Sequence, residues 1–367
     1  MTAAMIDMNP LLRLHALGQR IWLDNLSRTL LRDGTLKKLV HDDRVAGVTS
    51  NPSIFFKAIS ESPHYRDELQ RLKNDATLTA EQRYETLAIA DIREACDTLL
   101  PAYKSTAGDD GYVSLEVSPA LAHDAAGTVA AGLRLKGAVG RDNLLIKVPA
   151  TAAGLKAIEE LVAQGCSVNV TLMFSLRHVR TVSQAWARGI ARHIDAGGDA
   201  RRVKSVASLF LSRVDTLIDK KLETLGGDAL ALRGHTAVAT ARLAYQMYLA
   251  ACADPAFAAL AKKGARPQTL LWASTGTKNA AYSDVLYVES LIGAQTINTV
   301  PDATLAAFRD HGRAEPTLER DLERAREQFA ALRAMGIDLD EAGEQLQVEG
   351  LQLFADSFRQ LLALTAS

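Results

Sequence analysis

Short apolar runs, often β-branched, recur at residues 21–23, 45–49, 113–117, 144–148, 167–171, 203–210, 269–273 and 296–300. Most are continuous rather than alternating in apolar residues, the pattern of strands buried on both faces. Between them lie longer stretches rich in helix formers, among them 123–135, 151–163, 176–194, 236–251 and 284–291. Gly165 stands where the helix over 151–163 needs a C-terminal cap. Strands alternating with helices predict a parallel sheet with helices outside it. Eight such units predict a closed (β/α)8 TIM barrel, a fold of about 250 residues that tolerates insertions.

The remaining length has two places to go. Between Pro52 and Gly111 the second connection is long, with helical patterns at 65–72 and 80–100. After Pro301 come further helices, including 317–335, closed by Gly336, and 340–364. In the first of these Leu318, Leu322, Ala325, Phe329 and Leu332 step by four, three, four and three, one face of a helix. These helices are expected to pack outside the barrel and cover its rim. Repeats, low-complexity stretches and linkers do not stand out. The expectation is one domain over 1–367, with a helical insertion at 53–110 and a C-terminal extension at 302–367.

Composition narrows the function classes. The chain is 48% hydrophobic and 23% charged with net charge −1, ordinary for a soluble globular protein. No whole-protein field draws it to nucleic acid or an anionic membrane, so an anionic ligand must be held by a local site. Cys96, Cys166 and Cys252 are odd in number and lack disulfide or zinc-ribbon spacing, which suits buried thiols in a reducing cytosol. Asp7, Asn9, Arg13 and His15 occupy the stretch where a signal peptide would need an apolar core. No apolar run approaches the ~18 residues of a membrane span. The expected location is the cytoplasm, with no membrane or nucleic-acid partner.

The segment N-L-L-I-K-V-P-A-T, residues 143–151, sets Lys147 inside an apolar strand pattern. An ammonium among Leu, Ile and Val is costly unless paired, so such a lysine sits at a strand end or does chemistry. Desolvation lowers a lysine pKa from about 10.4, and the neutral amine attacks carbonyls. Lys147 is therefore a candidate Schiff-base lysine. The alternative is a lysine whose stem packs while its head reaches water.

Active sites of such barrels lie at the C-terminal ends of the strands. Those ends hold Asp24 on the first strand, Thr49, Ser50, Asn51 and Pro52 after the second, and Glu116 on the third. Lys147 ends the fourth and Asn169 and Thr171 belong to the fifth. Ser208, Ser212 and Arg213 follow from the sixth, and Ser274, Thr275, Thr277 and Lys278 from the seventh. Each has a structural alternative. Asp24 could cap a helix, and Thr49-Ser-Asn-Pro could be a turn. Glu116 and Asn169 could be satisfied buried polar groups, and Arg213 could pair with Asp215 or Asp219 on a helix surface. As a set converging on one mouth they point to function.

The chemistry those residues suit is specific. A lysine amine adds to a ketone, water leaves, and the iminium ion accepts the electrons of the neighbouring carbon–carbon bond. Asp24 is the candidate acid/base for the substrate hydroxyl, and Glu116, through a water, the candidate proton shuttle. Asn51, Asn169 and Thr171 would hold hydroxyls and that water. Arg213 and Lys278, with Ser208 and Ser274, form a candidate phosphate clamp. The string S-T-G-T-K-N is small enough to bring backbone N–H groups to an anion.

The strings W-L-D-N, V-T-S-N-P-S-I-F, L-E-V-S-P, N-L-L-I-K-V-P-A-T, N-V-T-L-M-F-S, V-A-S-L-F-L-S-R-V-D and W-A-S-T-G-T-K-N span Trp22 to Asn279 in this order. Together they resemble the transaldolase family, in its longer, actinobacterial-type branch. The resemblance implies a (β/α)8 barrel that moves a dihydroxyacetone unit from a ketose phosphate to an aldose phosphate through a lysine Schiff base. It implies sugar phosphates as partners, no metal or organic cofactor, and a monomer or homodimer. Lys147 matches the Schiff-base lysine, Asp24 the acid/base, and Glu116 with Thr171 the water-holding pair. Asn51 and Asn169 match substrate-hydroxyl contacts, and Ser208 and Arg213 phosphate contacts. Thr49 and Ser274 are grouped with the substrate contacts. Lys278 stands where shorter members carry an arginine in a differently spaced loop. Related fructose 6-phosphate aldolases tend to carry tyrosine where Phe210 stands and glutamine where Glu116 stands, so cleavage rather than transfer is the alternative activity. A catalytically silent barrel that binds phosphosugars is the alternative of another class.

Overall fold

The eight apolar runs pair each with the next and close on themselves. The computed structural model describes residues 9–366, and Asp7 lies outside the described residues. Strands β1 (Gln19–Leu23), β2 (Gly47–Val48), β3 (Tyr112–Glu116), β4 (Leu144–Pro149), β5 (Val168–Met173), β6 (Ser205–Phe210), β7 (Thr269–Ala273) and β8 (Thr296–Val300) run parallel, in sequence order, with β8 against β1. The fold is a (β/α)8 barrel, as the alternation predicts. β2 is short, but the backbone bonds Ala46 N–H to Ile21 O and Thr49 N–H to Leu23 O extend its alignment over the predicted span.

Before and after β1 lie α1 (Pro10–Ala16), α2 (Arg28–Arg32) and α3 (Thr35–Asp42). The long second connection holds α4 (Pro52–Glu61), α5 (Arg66–Lys73) and α6 (Ala80–Ser105). Around the barrel follow α7 (Ala125–Val139), α8 (Ala152–Ala163), α9 (Leu176–Asp195), α10 (Ser212–Leu225), α11 (Thr236–Ala253), α12 (Pro255–Lys262) and α13 (Leu286–Glu289). The chain ends with α14 (Asp302–His311), α15 (Leu322–Ala334) and α16 (Leu339–Thr365). Helices start abruptly after strands because short polar side chains cap them: Asn51 for α4, Asp124 for α7, Thr151 for α8 and Ser175 for α9. Gly165 takes φ +71° just beyond α8, as a C-terminal cap requires.

Two expected helices come out shorter. Between β7 and β8 only Leu286–Glu289 of the 284–291 stretch is helical. The 317–335 helix begins at Leu322, because Thr317 is held elsewhere: its Oγ1 donates to Glu289 O at 2.5 Å and accepts from Ile292 N–H at 3.2 Å. Leu318 is buried all the same, against Gly293. The periodicity reported burial correctly and backbone conformation wrongly.

The element that shapes the mouth is α16. It packs on α4, α6, α10 and β5, bringing the end of the chain across the C-terminal side of the barrel. Glycines let it come close: a Cβ on Gly343 would stand 2.7 Å from Ser175 Cβ, and one on Gly350 2.9 Å from Leu172 Cδ2. Between them Gln347 Nε2 donates to Ala150 O and Leu172 O, both at 3.1 Å. Leu172 sits at φ +57° where the pairing of β5 with β6 shifts register. α16 thus satisfies a carbonyl that an irregular strand cannot.

Candidate active site

The mouth of the barrel encloses a cavity of about 220 Å³ whose wall includes Asp24, Thr49, Asn51, Lys147, Thr171, Ser208, Phe210, Arg213, Ser274 and Lys278. Ten of the twelve residues singled out from the sequence thus share one wall. Ala273, Thr275, Gly276, Thr299, Pro301 and Phe354 complete it.

Lys147 is 4% exposed. β4 sets it beside Glu116 of β3, its register partner, and beside Asn169 of β5. Its Nζ donates to Ser50 O at 3.1 Å and lies 3.4 Å from Glu116 Oε2. That second contact is an ion pair without hydrogen-bond alignment, so Glu116 Oε2 keeps an unused acceptor position. Burial pushes the Glu116 carboxyl up to about 7, and the Lys147 ammonium pulls only part of the way back. Thr171 Oγ1 is likewise buried without a hydrogen-bond partner. Two buried polar atoms with spare capacity beside a lysine are the arrangement that holds a water or a substrate hydroxyl.

Across the cavity, Asp24 follows β1 directly and caps no helix; Ser27 caps α2 instead. Asp24 Oδ1 accepts from Thr49 Oγ1 at 2.7 Å, and Thr49 Oγ1 meets Thr299 Oγ1 at 2.8 Å. Since the one hydroxyl proton of Thr49 goes to the carboxylate, Thr299 must be the donor in the second bond. The aspartate is therefore held by a two-hydroxyl relay from β8. Asn51 does cap a helix, its Oδ1 accepting from Ile54 N–H at 3.0 Å, so its amide NH2 is the end left for a ligand.

Glu116 and Asn169 stand behind the wall. Asn169 is fully buried; its Nδ2 donates to Ser114 Oγ at 2.9 Å and its Oδ1 accepts from Ser208 Oγ at 2.7 Å. One Nδ2 proton of Asn169 remains uncommitted, and the residue is the register partner of Lys147 on the neighbouring strand.

Arg213 lies in the first turn of α10, one residue past the β6–α10 junction, where the helix dipole adds to its charge. Pairing with Asp215 or Asp219 is excluded: those carboxylates are bonded to Ala237 N–H and Tyr287, and to Gly234 N–H and Tyr282. No carboxylate lies within ion-pair distance of the half-buried guanidinium among the described residues; burial lowers its pKa, and Glu349 is the only opposing charge that offsets this. Its guanidinium carbon stands 5.8 Å from the Phe210 ring centroid. Lys278, in the loop after β7, is exposed and also lacks a carboxylate partner among the described residues. Two unpaired cations on one cavity wall are suited to an anion.

Phe354 is the residue the sequence did not disclose. It reaches down from α16, and its ring centroid lies 5.7 Å from Lys147 Nζ, within cation–π range. The α16 periodicity marks Phe354 as apolar and inward-facing but carries no sign of what it faces. A separate, mainly apolar cavity of about 330 Å³ lies outside the barrel between α9, α11 and α12. It has no comparable convergence of polar groups. Among the described residues no three His, Cys, Asp or Glu side chains are arranged to hold a metal, and no helix is long and apolar enough to cross a membrane.

Residues 21–365 match the family model described as transaldolase/fructose-6-phosphate aldolase. The chain belongs to that family. A transaldolase of Thiobacillus denitrificans is 55% identical over 348 residues, 95% of this chain and 97% of its own. A transaldolase of Neisseria gonorrhoeae is 50% identical over the same shares, and one of the actinobacterium Frankia alni 48% identical over 98% of this chain and 97% of its own. A transaldolase/fructose-6-phosphate aldolase barrel is thus what the eight strands and their helices form, and the relatives extend over the insertion and the C-terminal helices as well as the barrel.

Proposed function

We propose that this chain is a transaldolase of the non-oxidative pentose phosphate pathway, transferring a dihydroxyacetone unit through a Schiff base on Lys147. Its donor is a ketose phosphate, sedoheptulose 7-phosphate or fructose 6-phosphate, and its acceptor an aldose phosphate, glyceraldehyde 3-phosphate or erythrose 4-phosphate. The observation that carries the mechanism is the buried Lys147 beside a carboxylate poised near neutrality, in the same cavity as Asp24 and an unpaired Arg213.

In this reading the Lys147 amine adds to the ketose C2 carbonyl. Glu116, acting through a water held with Thr171, supplies the proton with which the carbinolamine hydroxyl leaves as water. The iminium then draws the electrons of the C3–C4 bond while Asp24 accepts the C4 hydroxyl proton. The aldose departs and an enamine remains. The enamine carbon attacks the acceptor aldehyde, Asp24 returns its proton to the new alkoxide, and water releases the lengthened ketose. Arg213, Lys278 and Ser208 hold the phosphate, Asn51 and Asn169 the hydroxyls, and Thr49 and Ser274 complete the substrate wall.

Transfer rather than cleavage is favoured by Phe210 and Phe354. Both rings border the cavity and neither offers a proton to the enamine. The thiols of Cys96 and Cys166, pushed up to about 12 and about 11 by burial, suit a reducing cytoplasm. The barrel with its insertion and extension is proposed as one domain.

The test is incubation with fructose 6-phosphate and sodium borohydride, followed by intact mass and peptide mapping. The expected result is a reduced dihydroxyacetone adduct on Lys147, absent from Lys147→Ala, which still binds the sugar phosphate. A folded, substrate-binding protein that gives no adduct would refute the Schiff-base mechanism and favour the phosphosugar-binding barrel.

A further inference from the structure

Helix α10 carries more than Arg213. Two and six residues beyond it, Asp215 and Asp219 are buried, and each spends one carboxylate oxygen on a backbone N–H: Asp215 on Ala237 of α11 at 2.8 Å, Asp219 on Gly234 of the α10–α11 connection at 2.9 Å. The second oxygen of each takes a tyrosine hydroxyl from the chain that follows β7. Tyr287 donates to Asp215 at 2.8 Å, and Tyr282 to Asp219 at 2.7 Å. Between β7 and these two tyrosines lies the loop that bears Lys278. The Tyr282 ring packs where Gly234, at φ +72°, has no Cβ; a Cβ there would stand 2.8 Å from Tyr282 Cζ. At the root of the loop Ser212 N–H donates to Ser274 O at 3.0 Å, and the two Oγ atoms meet at 2.8 Å.

The loop is thus fastened to α10 at its start by Ser212 and beyond Lys278 by the two aspartates. Residues 278–281 between the fastenings are exposed. Lysine offers a point charge on a flexible stem, so its usefulness to a phosphate depends on where its backbone is held. We propose that Asp215 and Asp219, through Tyr287 and Tyr282, are positioning residues that set the Lys278 loop relative to Arg213 so that both cations engage one phosphate. This inference rests on the phosphate-clamp reading of Arg213 and Lys278.

The test compares Tyr282→Phe, Tyr287→Phe and Lys278→Ala, using fructose 6-phosphate, unphosphorylated fructose and inorganic phosphate as an inhibitor, with melting temperature recorded for each. Tyr282→Phe removes one half-exposed hydroxyl and leaves the ring, so the fold is retained even if the more buried Tyr287→Phe is unstable. Losing the tether is expected to raise KM for fructose 6-phosphate and the phosphate inhibition constant about five- to tenfold, the net scale of one ordinary hydrogen bond. Turnover at saturation and kcat/KM for fructose should stay within about twofold, because uniform binding alone is lost. Lys278→Ala should show the same signature more strongly. If Lys278→Ala leaves phosphate selectivity intact, the clamp reading falls and the tether with it. If Lys278→Ala abolishes that selectivity while both tyrosine variants behave as wild type, or lose fructose and fructose 6-phosphate equally, the tether alone is overturned.

Discussion

Lys147 Nζ stands 3.4 Å from Glu116 Oε2, and the two residues are register partners on β4 and β3. A parallel ladder points partners to the same side of the sheet, so strand pairing alone holds the base of the site together. Burial then decides the protonation of the carboxyl, which is poised at about 7 instead of its ordinary 4.5.

A pH prediction follows from the direction of that shift. A carboxyl raised in the folded state binds its proton more tightly there than when unfolded. Its stabilising contribution is therefore complete below about pH 4.5 and is lost as pH rises through about 7, on the order of 3 kcal/mol at most. Glu116→Gln should flatten the decline of melting temperature between those values, relative to the unaltered protein. The same variant should slow borohydride trapping about a hundredfold, the usual scale of a lost proton shuttle. Parallel melting curves across that pH range would contradict the assignment.

Phe210 borders the cavity, 8% exposed, with Phe174 against one side at 5.2 Å between centroids. A hydroxyl on that ring would give the enamine a proton donor. Phe210→Tyr is expected to release free dihydroxyacetone from fructose 6-phosphate about tenfold faster, while transfer to an added aldehyde falls. An enzymatic assay for dihydroxyacetone with and without acceptor reads both. Unchanged partitioning would show that some other proton source limits cleavage.

Legibility from the sequence followed burial. Strands covered on both faces are written as continuous apolar runs, so a lysine within one, Lys147, stands out against its neighbours. Polar residues at strand ends were readable for the same reason, once eight strands implied a mouth. What was not readable depends on contacts between distant segments. Phe354 is an apolar residue on an amphipathic helix whether it faces Lys147 or a neighbouring leucine. The bonds of Asn169 to Ser114 on β3 and Ser208 on β6 join residues far apart along the chain. Leu318 has helical spacing, yet Thr317 is held by Glu289 and Ile292 and the helix begins only at Leu322.

Gln347 is 7% exposed and its Nε2 serves two carbonyls, Ala150 O and Leu172 O. Gln347→Leu keeps the size and removes both bonds, leaving two buried acceptors without a partner. The expected cost is about 2–3 kcal/mol, since stranding a buried polar group costs more than a hydrogen bond contributes net. Denaturant titration should show the midpoint falling with little change in slope. A variant of unchanged stability would mean that α16 rests on the mouth by apolar contact alone.

The extension after Pro301 is expected to be part of the folded barrel and not a removable cover. α14 buries Leu305 and Phe308, and α16 buries Leu346, Phe354, Phe358 and Leu361. At about 1.5–3 kcal/mol for each fully buried side chain, these sum to on the order of 10 kcal/mol. A typical domain has a net stability of about 5–15 kcal/mol, so the loss is comparable with the whole. Polar ties add to it: Thr365 Oγ1 donates to Ala80 O at 2.8 Å and Arg83 Nη1 to Thr365 O at 3.2 Å, fastening the end of α16 to the start of α6. Truncation after Pro301 should therefore give an aggregating product or one without a cooperative melting transition, measured by calorimetry and near-ultraviolet circular dichroism. A soluble truncated chain that melts cooperatively at the normal temperature would overturn this. Retained borohydride trapping in such a product would further show that Phe354 is dispensable for forming the Schiff base.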